Sequence, residues 1–133
     1  MSEPLDSDSY NFHGAQFEML VRRENLPEDL ADDFVILDLQ GDLNLFSAPA
    51  VKQCLENLVS IGKNKLICDM SEVEYLDSSG LGVFIAIHAK LKMADKGGFL
   101  KILNPSMKVQ STLKLIKLNK LLAVVTTIEE ALT

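Results

Sequence analysis

Short apolar runs of strand length alternate along the chain with longer stretches whose apolar residues recur at helical spacing. Phe17-Glu18-Met19-Leu20-Val21 reads as a first strand. Phe34-Val35-Ile36-Leu37-Asp38-Leu39 is an apolar, β-branched run closed by Gly41, the pattern of a strand buried on both faces. Leu66-Ile67-Cys68-Asp69-Met70 and Phe99-Leu100-Lys101-Ile102-Leu103 read the same way, and Ala123 to Thr126 is a final short strand. Between them lie helix signals. Ser47-Ala48-Pro49 offers Ser47 as N-cap with proline just inside, where its missing N–H costs nothing. Val51, Leu55, Leu58 and Val59 then form one stripe, which stops near Gly62 in the left-handed conformation glycine tolerates. Ser78 or Ser79 opens a second helix, running to about Lys96 before Gly97-Gly98. Its residues Val83, Ile87, Leu91 and Ala94 form a stripe for the sheet, while Leu81, Phe84, Ile85 and Met93 are left for neighbouring helices or a partner. Asn104-Pro105-Ser106 is a stop and a new cap, followed by a third helix over Met107–Leu118 that carries Leu113 and Ile116. Thr127-Ile128-Glu129-Glu130 is a capping box opening a short closing helix.

Strand–helix–strand thus occurs three times in succession, at spacings that suit right-handed crossovers and parallel pairing. The first strand is expected to pair antiparallel with the second across the acidic, proline-containing stretch Glu24 to Asp33. The predicted fold class is α/β, a single domain with a mixed sheet of about five strands and about four helices. Residues 1–15 mix Ser, Asp, Asn and Gly and read as a flexible leader, leaving 16–133 for the domain.

Composition narrows the function. The 133 residues are 47% hydrophobic and 24% charged, ordinary for a globular domain. The net charge of −6 argues against a nucleic-acid binder with a broad basic face. No apolar run approaches the roughly 20 residues of a membrane-spanning helix, and the start has neither the basic head nor the apolar stretch of a secretory signal. Cys54 and Cys68 fall in apolar stretches, too few for a disulfide framework and better suited to core packing. The expected place of work is the cytoplasm, with no partner membrane and no nucleic acid. The charge is uneven: residues 1–33 carry nine acids and two arginines, whereas Lys96 to Ile128 contains lysines and no acid. Those lysines read either as a solvated surface or as a mildly basic face open to an acidic partner.

The segment richest in candidate chemistry is Leu76-Asp77-Ser78-Ser79-Gly80-Leu81-Gly82, between a buried strand and a helix. In an open α/β sheet, ligands and partners meet the loops at the carboxyl ends of the strands. Two serines at a helix N-terminus put hydroxyls where free N–H groups and the positive dipole end converge, and Gly80 and Gly82 leave room for another backbone. The plainer reading is that one serine is merely the N-cap and the glycines let the helix sit on the sheet. Enzymatic readings find no residue set. A nucleophile elbow needs glycine two residues before the serine, where this chain has Leu76 or Asp77. His88, ten residues along the helix from Ser78, lies about 15 Å away, and His13 belongs to the leader. There is no Walker A sequence, no G-x-G-x-x-G after the first strand and no metal-ligand spacing. A phosphoaspartate receiver would want an acidic pair after the first core strand, where only Asp42 follows Gly41. No cofactor and no metal are expected.

Val73-Glu74-Tyr75-Leu76-Asp77-Ser78-Ser79-Gly80-Leu81-Gly82-Val83 resembles the signature of STAS-domain anti-sigma factor antagonists. Gly41-Asp42-Leu43-Asn44 through Ser47-Ala48-Pro49 is similar to that family's Gly-Glu-Leu-Asp turn into its first helix, and Val125 to Leu132 to its closing strand and helix. The match covers about residues 16–133. The resemblance implies a partner switch without enzymatic activity. In the family, a serine-kinase anti-sigma factor phosphorylates the first serine of the Asp-Ser-Ser-Gly motif. The unphosphorylated antagonist binds that kinase and frees a sigma factor, and a PP2C-type phosphatase restores the serine. Carried over, Ser78 is the phosphorylation site, and Asp77, Ser79, Gly80, Leu81 and Asn44 are the partner-binding residues of a monomer or weak dimer. Asn44 stands where the family usually has Asp, so partner choice or phosphorylation rate is the property expected to differ. Two alternatives remain open: a stressosome-like scaffold subunit, distinguished by size-exclusion chromatography, and a nucleotide-binding STAS regulatory domain, distinguished by calorimetry with GTP and ATP.

Overall fold

The computed structural model describes residues 7–12, 15–22, 34–94, 96–115, 117 and 121–132. Among them run β1 (Ser7–Phe12), β2 (Ala15–Arg22), β3 (Phe34–Leu43), α1 (Ala48–Ser60), β4 (Lys65–Leu76), α2 (Ser78–Met93), β5 (Phe99–Leu103), α3 (Met107–Leu115), β6 (Ala123–Val125) and α4 (Ile128–Ala131). The sheet order follows the sequence, β1-β2-β3-β4-β5-β6. β1–β2 and β2–β3 are antiparallel, and the three later pairings are parallel. The mixed α/β sheet and its antiparallel N-terminal strand are as predicted.

One strand was not. Ser7–Phe12 pairs with β2 from Ser7↔Leu20 to Phe12↔Ala15, inside the segment read as a leader. An edge strand is held by backbone bonds that do not require an apolar side-chain pattern, so composition alone makes it look like a loop. Residues 1–6, the connection Glu24 to Asp33, and the expected Ile116 and Leu118 of the third helix lie outside the described residues.

Successive parallel strands joined by right-handed crossovers, each moving the same way along the sheet, place α1, α2 and α3 on one face. The main core lies there: Phe17, Met19, Leu37, Leu39, Leu66, Cys68, Leu100 and Ile102 of the strands meet Val51, Leu55, Phe84, Ile87 and Leu113 of the helices. Cys54 and Cys68 are both buried there as free thiols, and burial, with Cys54 close by, pushes the Cys68 thiol up. On α2, Leu81 and Phe84 join Val83, Ile87 and Leu91 in the core, while Met93 is 85% exposed. The surplus apolar residues of that helix are thus mostly absorbed by the layer it packs in.

The other face is covered only in part. α4 closes over Phe34, Ile36, Ile67 and Leu103 through Ala131. Its capping box forms as expected: Thr127 accepts from the Glu130 N–H, and the Glu130 carboxylate accepts from the Thr127 N–H. Beyond its reach Arg22 bridges three strands. Its Nε donates to Asp38 at 3.0 Å and its Nη2 to Asp69 at 2.7 Å and to the second Asp38 oxygen.

β4 runs six residues further than its apolar pattern shows. Between the pairs Asp38↔Asp69 and Leu43↔Leu76 it uses two more residues than β3, with register shifts on both sides of Gln40–Gly41. Bulges of this kind bend the strand and break the period of two, so Ser71, Glu72 and Glu74 look like turn residues in the sequence. Asp69 supports the first bulge by accepting from both the N–H and hydroxyl of Ser71. The result is that β3 and β4 end side by side, with Leu43 opposite Leu76.

Candidate functional site

β4 passes into α2 with a single residue, Asp77, between them. Asp77 is extended (φ −112°, ψ −174°), and its Oδ1 accepts from the N–H groups of Ser79 at 2.8 Å and Gly80 at 3.3 Å. Neither serine is the cap. A carboxylate at the N-cap reaches the second and third free N–H groups and adds a negative charge at the positive end of the helix, whereas a serine already inside the first turn cannot turn back to them. Ser78 is therefore the first helical residue. It is exposed, and among the described residues its hydroxyl makes no hydrogen bond. Ser79 is half-buried.

The residues behind the serines point inward. Gly80 is buried, and a Cβ on it would stand 2.9 Å from Leu76 Cδ1, 3.1 Å from Leu43 Cβ and 3.2 Å from the Leu43 carbonyl. Leu81 is also buried. Gly80 thus lies closely against Leu43 and Leu76, and the Leu81 side chain belongs to the core. Gly82 is exposed, and a Cβ there meets nothing within 4 Å.

The turn before α1 is stitched to the same corner. The Asp77 N–H donates to the Leu43 carbonyl at 3.1 Å. In that turn the Asn44 Oδ1 accepts from the N–H groups of Phe46 at 2.9 Å and Ser47 at 3.2 Å, just ahead of the helix. The Ser47 hydroxyl faces back, donating to the Asp42 carbonyl at 2.7 Å and accepting from the Asn44 N–H at 3.0 Å. Ser47 is the N-cap residue as expected, with proline in the first turn, but its side chain makes no cap bond to the helix. The accepting oxygen in this turn is one that asparagine and aspartate both possess, so asparagine makes the two turn bonds without the charge.

Three large apolar side chains at the ends of these elements are exposed, and local pattern did not single them out as site residues. Leu45 and Phe46, 64% and 44% exposed, project from the Asn44 turn, and Tyr75, 53% exposed, from the end of β4. The available signal was a pair of large apolar residues inside a turn, where polar ones are expected. Replacing Asp77 by Ala is expected to lower stability by about 1 kcal/mol, measured by urea denaturation. Asp77→Asn should recover most of that loss, and equal losses for both would point to charge in place of the cap bonds.

A family model described as the STAS domain matches residues 28–131. The chain belongs to that family. A protein of Thermotoga maritima described as a candidate anti-sigma factor antagonist is 33% identical to this STAS domain over 107 residues, 80% of this chain and 93% of that one. The anti-sigma-B factor antagonist of Bacillus subtilis is 34% identical over 73 residues, 55% of this chain and 64% of its own. The crystal structure of an anti-sigma factor antagonist from Mycobacterium paratuberculosis superposes with a TM-score of 0.72 at 23% identity, over 87% of this chain and 91% of that one, and so shares the fold. The relatives carry the names of regulatory proteins, and no described helix of this STAS domain is long and apolar enough to cross a membrane.

The geometry offers a serine hydroxyl in solvent at the start of a helix, on a corner tied rigidly to β3 and β4. His88 does not serve that hydroxyl: its Nδ1 accepts the Leu100 N–H at 3.3 Å. No group of three or more metal-ligating side chains occurs among the described residues.

Proposed function

We propose that this STAS domain is a partner-switching anti-sigma factor antagonist without enzymatic activity of its own. Unphosphorylated, it docks on a serine-kinase anti-sigma factor through the corner formed by Ser78, Asp77, Ser79 and the Asn44 turn, and so frees a sigma factor. Phosphorylation of Ser78 by that kinase ends the contact, and a PP2C-type phosphatase restores it. The setting is the cytoplasm, and the working form is a monomer or weak dimer.

The observation that carries this reading is the solvent-exposed Ser78 hydroxyl beside a capped helix start. Because Asp77 already satisfies the N–H groups of Ser79 and Gly80, the fold does not call on the serine oxygen, which is free to be modified and restored. The exposed Leu45 and Phe46 of the Asn44 turn and Tyr75 at the end of β4 supply apolar area for a protein contact. A phosphate there adds about −1.5 to −2 charges at pH 7 next to the Asp77 carboxylate, and a partner packed on those apolar residues must strip its water. The names of the relatives agree with the role.

The test is incubation of the full chain with its cognate serine-kinase anti-sigma factor and labelled ATP. Wild type is expected to take up one phosphate per chain, and Ser78→Ala none. Label on Ser78→Ala at wild-type stoichiometry overturns the assignment.

A further inference from the structure

The sheet ends differently at its two edges. At one, β6 is only three residues long, and just before its pairing with β5 begins at Lys101 the His88 Nδ1 accepts the Leu100 N–H at 3.3 Å. A short strand and a side-chain acceptor leave little backbone to offer. At the other edge β1 presents six residues, paired on one side to β2 and on the other to nothing among the described residues. Proteins blunt such edges with proline, lysine or clustered charge. Ser7–Phe12 contains no proline and no lysine, and Asp8 is its only charged residue. A row of N–H and C=O groups of this kind is a template for one more strand.

The charge near this edge selects what the added strand carries. Residues 1–33 hold nine acids against Arg22 and Arg23, a net of −7, whereas residues 34–133 are net +1. Of those two arginines, Arg22 is engaged by Asp38 of β3 and Asp69 of β4. On β2, Glu18 stands opposite Ser9. A second copy of this chain brings the same excess of negative charge to the edge and is repelled. A segment bearing lysine or arginine gains from the ladder and from the field together.

We propose that the outer edge of β1 takes up an extended, cationic segment of another protein as a further strand of the sheet. Backbone bonds supply the affinity, and the acidic N-terminal third of the chain selects the charge. Ser78 follows β4, with β2 and β3 between that strand and β1, so the two surfaces can be tested separately.

The test is titration of the isotope-labelled full chain, followed by amide resonances at constant ionic strength. The probes are a peptide of alternating lysine and valine, the same peptide with glutamate for lysine, and the lysine peptide interrupted by prolines. The last keeps the charge but cannot donate a ladder. The lysine peptide is expected to give saturable shifts at Ser7–Phe12, the proline-interrupted one to bind at least about fivefold more weakly, and the glutamate peptide to give none. Successive N–H groups of a strand point to opposite sides. Of Ser9→Pro and Tyr10→Pro, one therefore blocks the outer edge and spares the β1–β2 ladder, and the other breaks that ladder. The variant that keeps the wild-type melting temperature should weaken the lysine peptide at least about fivefold, and Ser78→Ala should leave it unchanged. Shifts that never saturate or lie away from β1, equal binding of the proline-interrupted peptide, or wild-type binding by the fold-preserving proline variant overturn the proposal. A dimer in sedimentation equilibrium that the same proline abolishes also overturns it, because a second copy then occupies the edge.

Discussion

Ser78→Asp should weaken binding to the serine-kinase anti-sigma factor about a hundredfold, or about 3 kcal/mol, while the melting temperature and far-ultraviolet circular dichroism stay near those of wild type. Both halves follow from the placement of the side chain. Ser78 is exposed and makes no hydrogen bond among the described residues, so a carboxylate there removes no contact of the fold. The positive end of α2 tolerates a further negative charge in its first turn. The cost arises only when a partner covers the corner, because two adjacent carboxylates at 77 and 78 must then lose water. Calorimetry with the kinase reads the affinity, and a thermal scan of the free protein reads the fold. An unchanged affinity would remove Ser78 from the docking surface. A matching fall in melting temperature would show a structural role in its place.

Gly80→Ala and Gly82→Ala should move stability in opposite directions, although the two glycines are only two residues apart. At Gly80 the new Cβ falls 3.1 Å from Leu43 Cβ and 3.2 Å from the Leu43 carbonyl. Both belong to a strand end that the Asp77 N–H holds in place. The nearest atom, Leu76 Cδ1 at 2.9 Å, belongs to a buried side chain. Overpacking of this kind costs about 1–3 kcal/mol. Replacing a helical glycine returns about 1 kcal/mol, so the net result is a loss of up to about 2 kcal/mol. At Gly82 the added methyl meets nothing within 4 Å, and only the gain of about 0.5–1 kcal/mol remains. Urea denaturation of the two variants checks the pair. A Gly80→Ala protein as stable as Gly82→Ala would show that β3 and α2 can separate. That outcome would contradict the rigid corner on which the switch rests, since a charge acts as a switch without refolding only if the corner itself does not move.

The strands Phe34–Leu39, Leu66–Met70 and Phe99–Leu103, the glycine stop at Gly62 and the Thr127–Glu130 capping box were legible in the order of residues, because each is decided by neighbours within one or two turns of chain. The resemblance to the family was legible in the short contiguous stretch Val73–Val83. Four features were decided only in three dimensions. Ser7–Phe12 is a strand because β2 offers it a backbone ladder, which leaves no mark on composition. β4 continues to Leu76 because bulges against β3 absorb two extra residues, erasing the alternation by which a strand is recognised. Asp77 took the α2 cap expected of a serine, and Ser47 at the start of α1 turned its hydroxyl away from the helix, since which oxygen reaches a free N–H depends on backbone angles that residue type does not state. Gly80 and Leu81, adjacent to Ser78 in sequence, were buried by the packing of α2, whereas Ser78 stayed exposed. Adjacency along the chain determined the chemistry of the site, and the approach of β3 to β4 determined which of its residues face solvent.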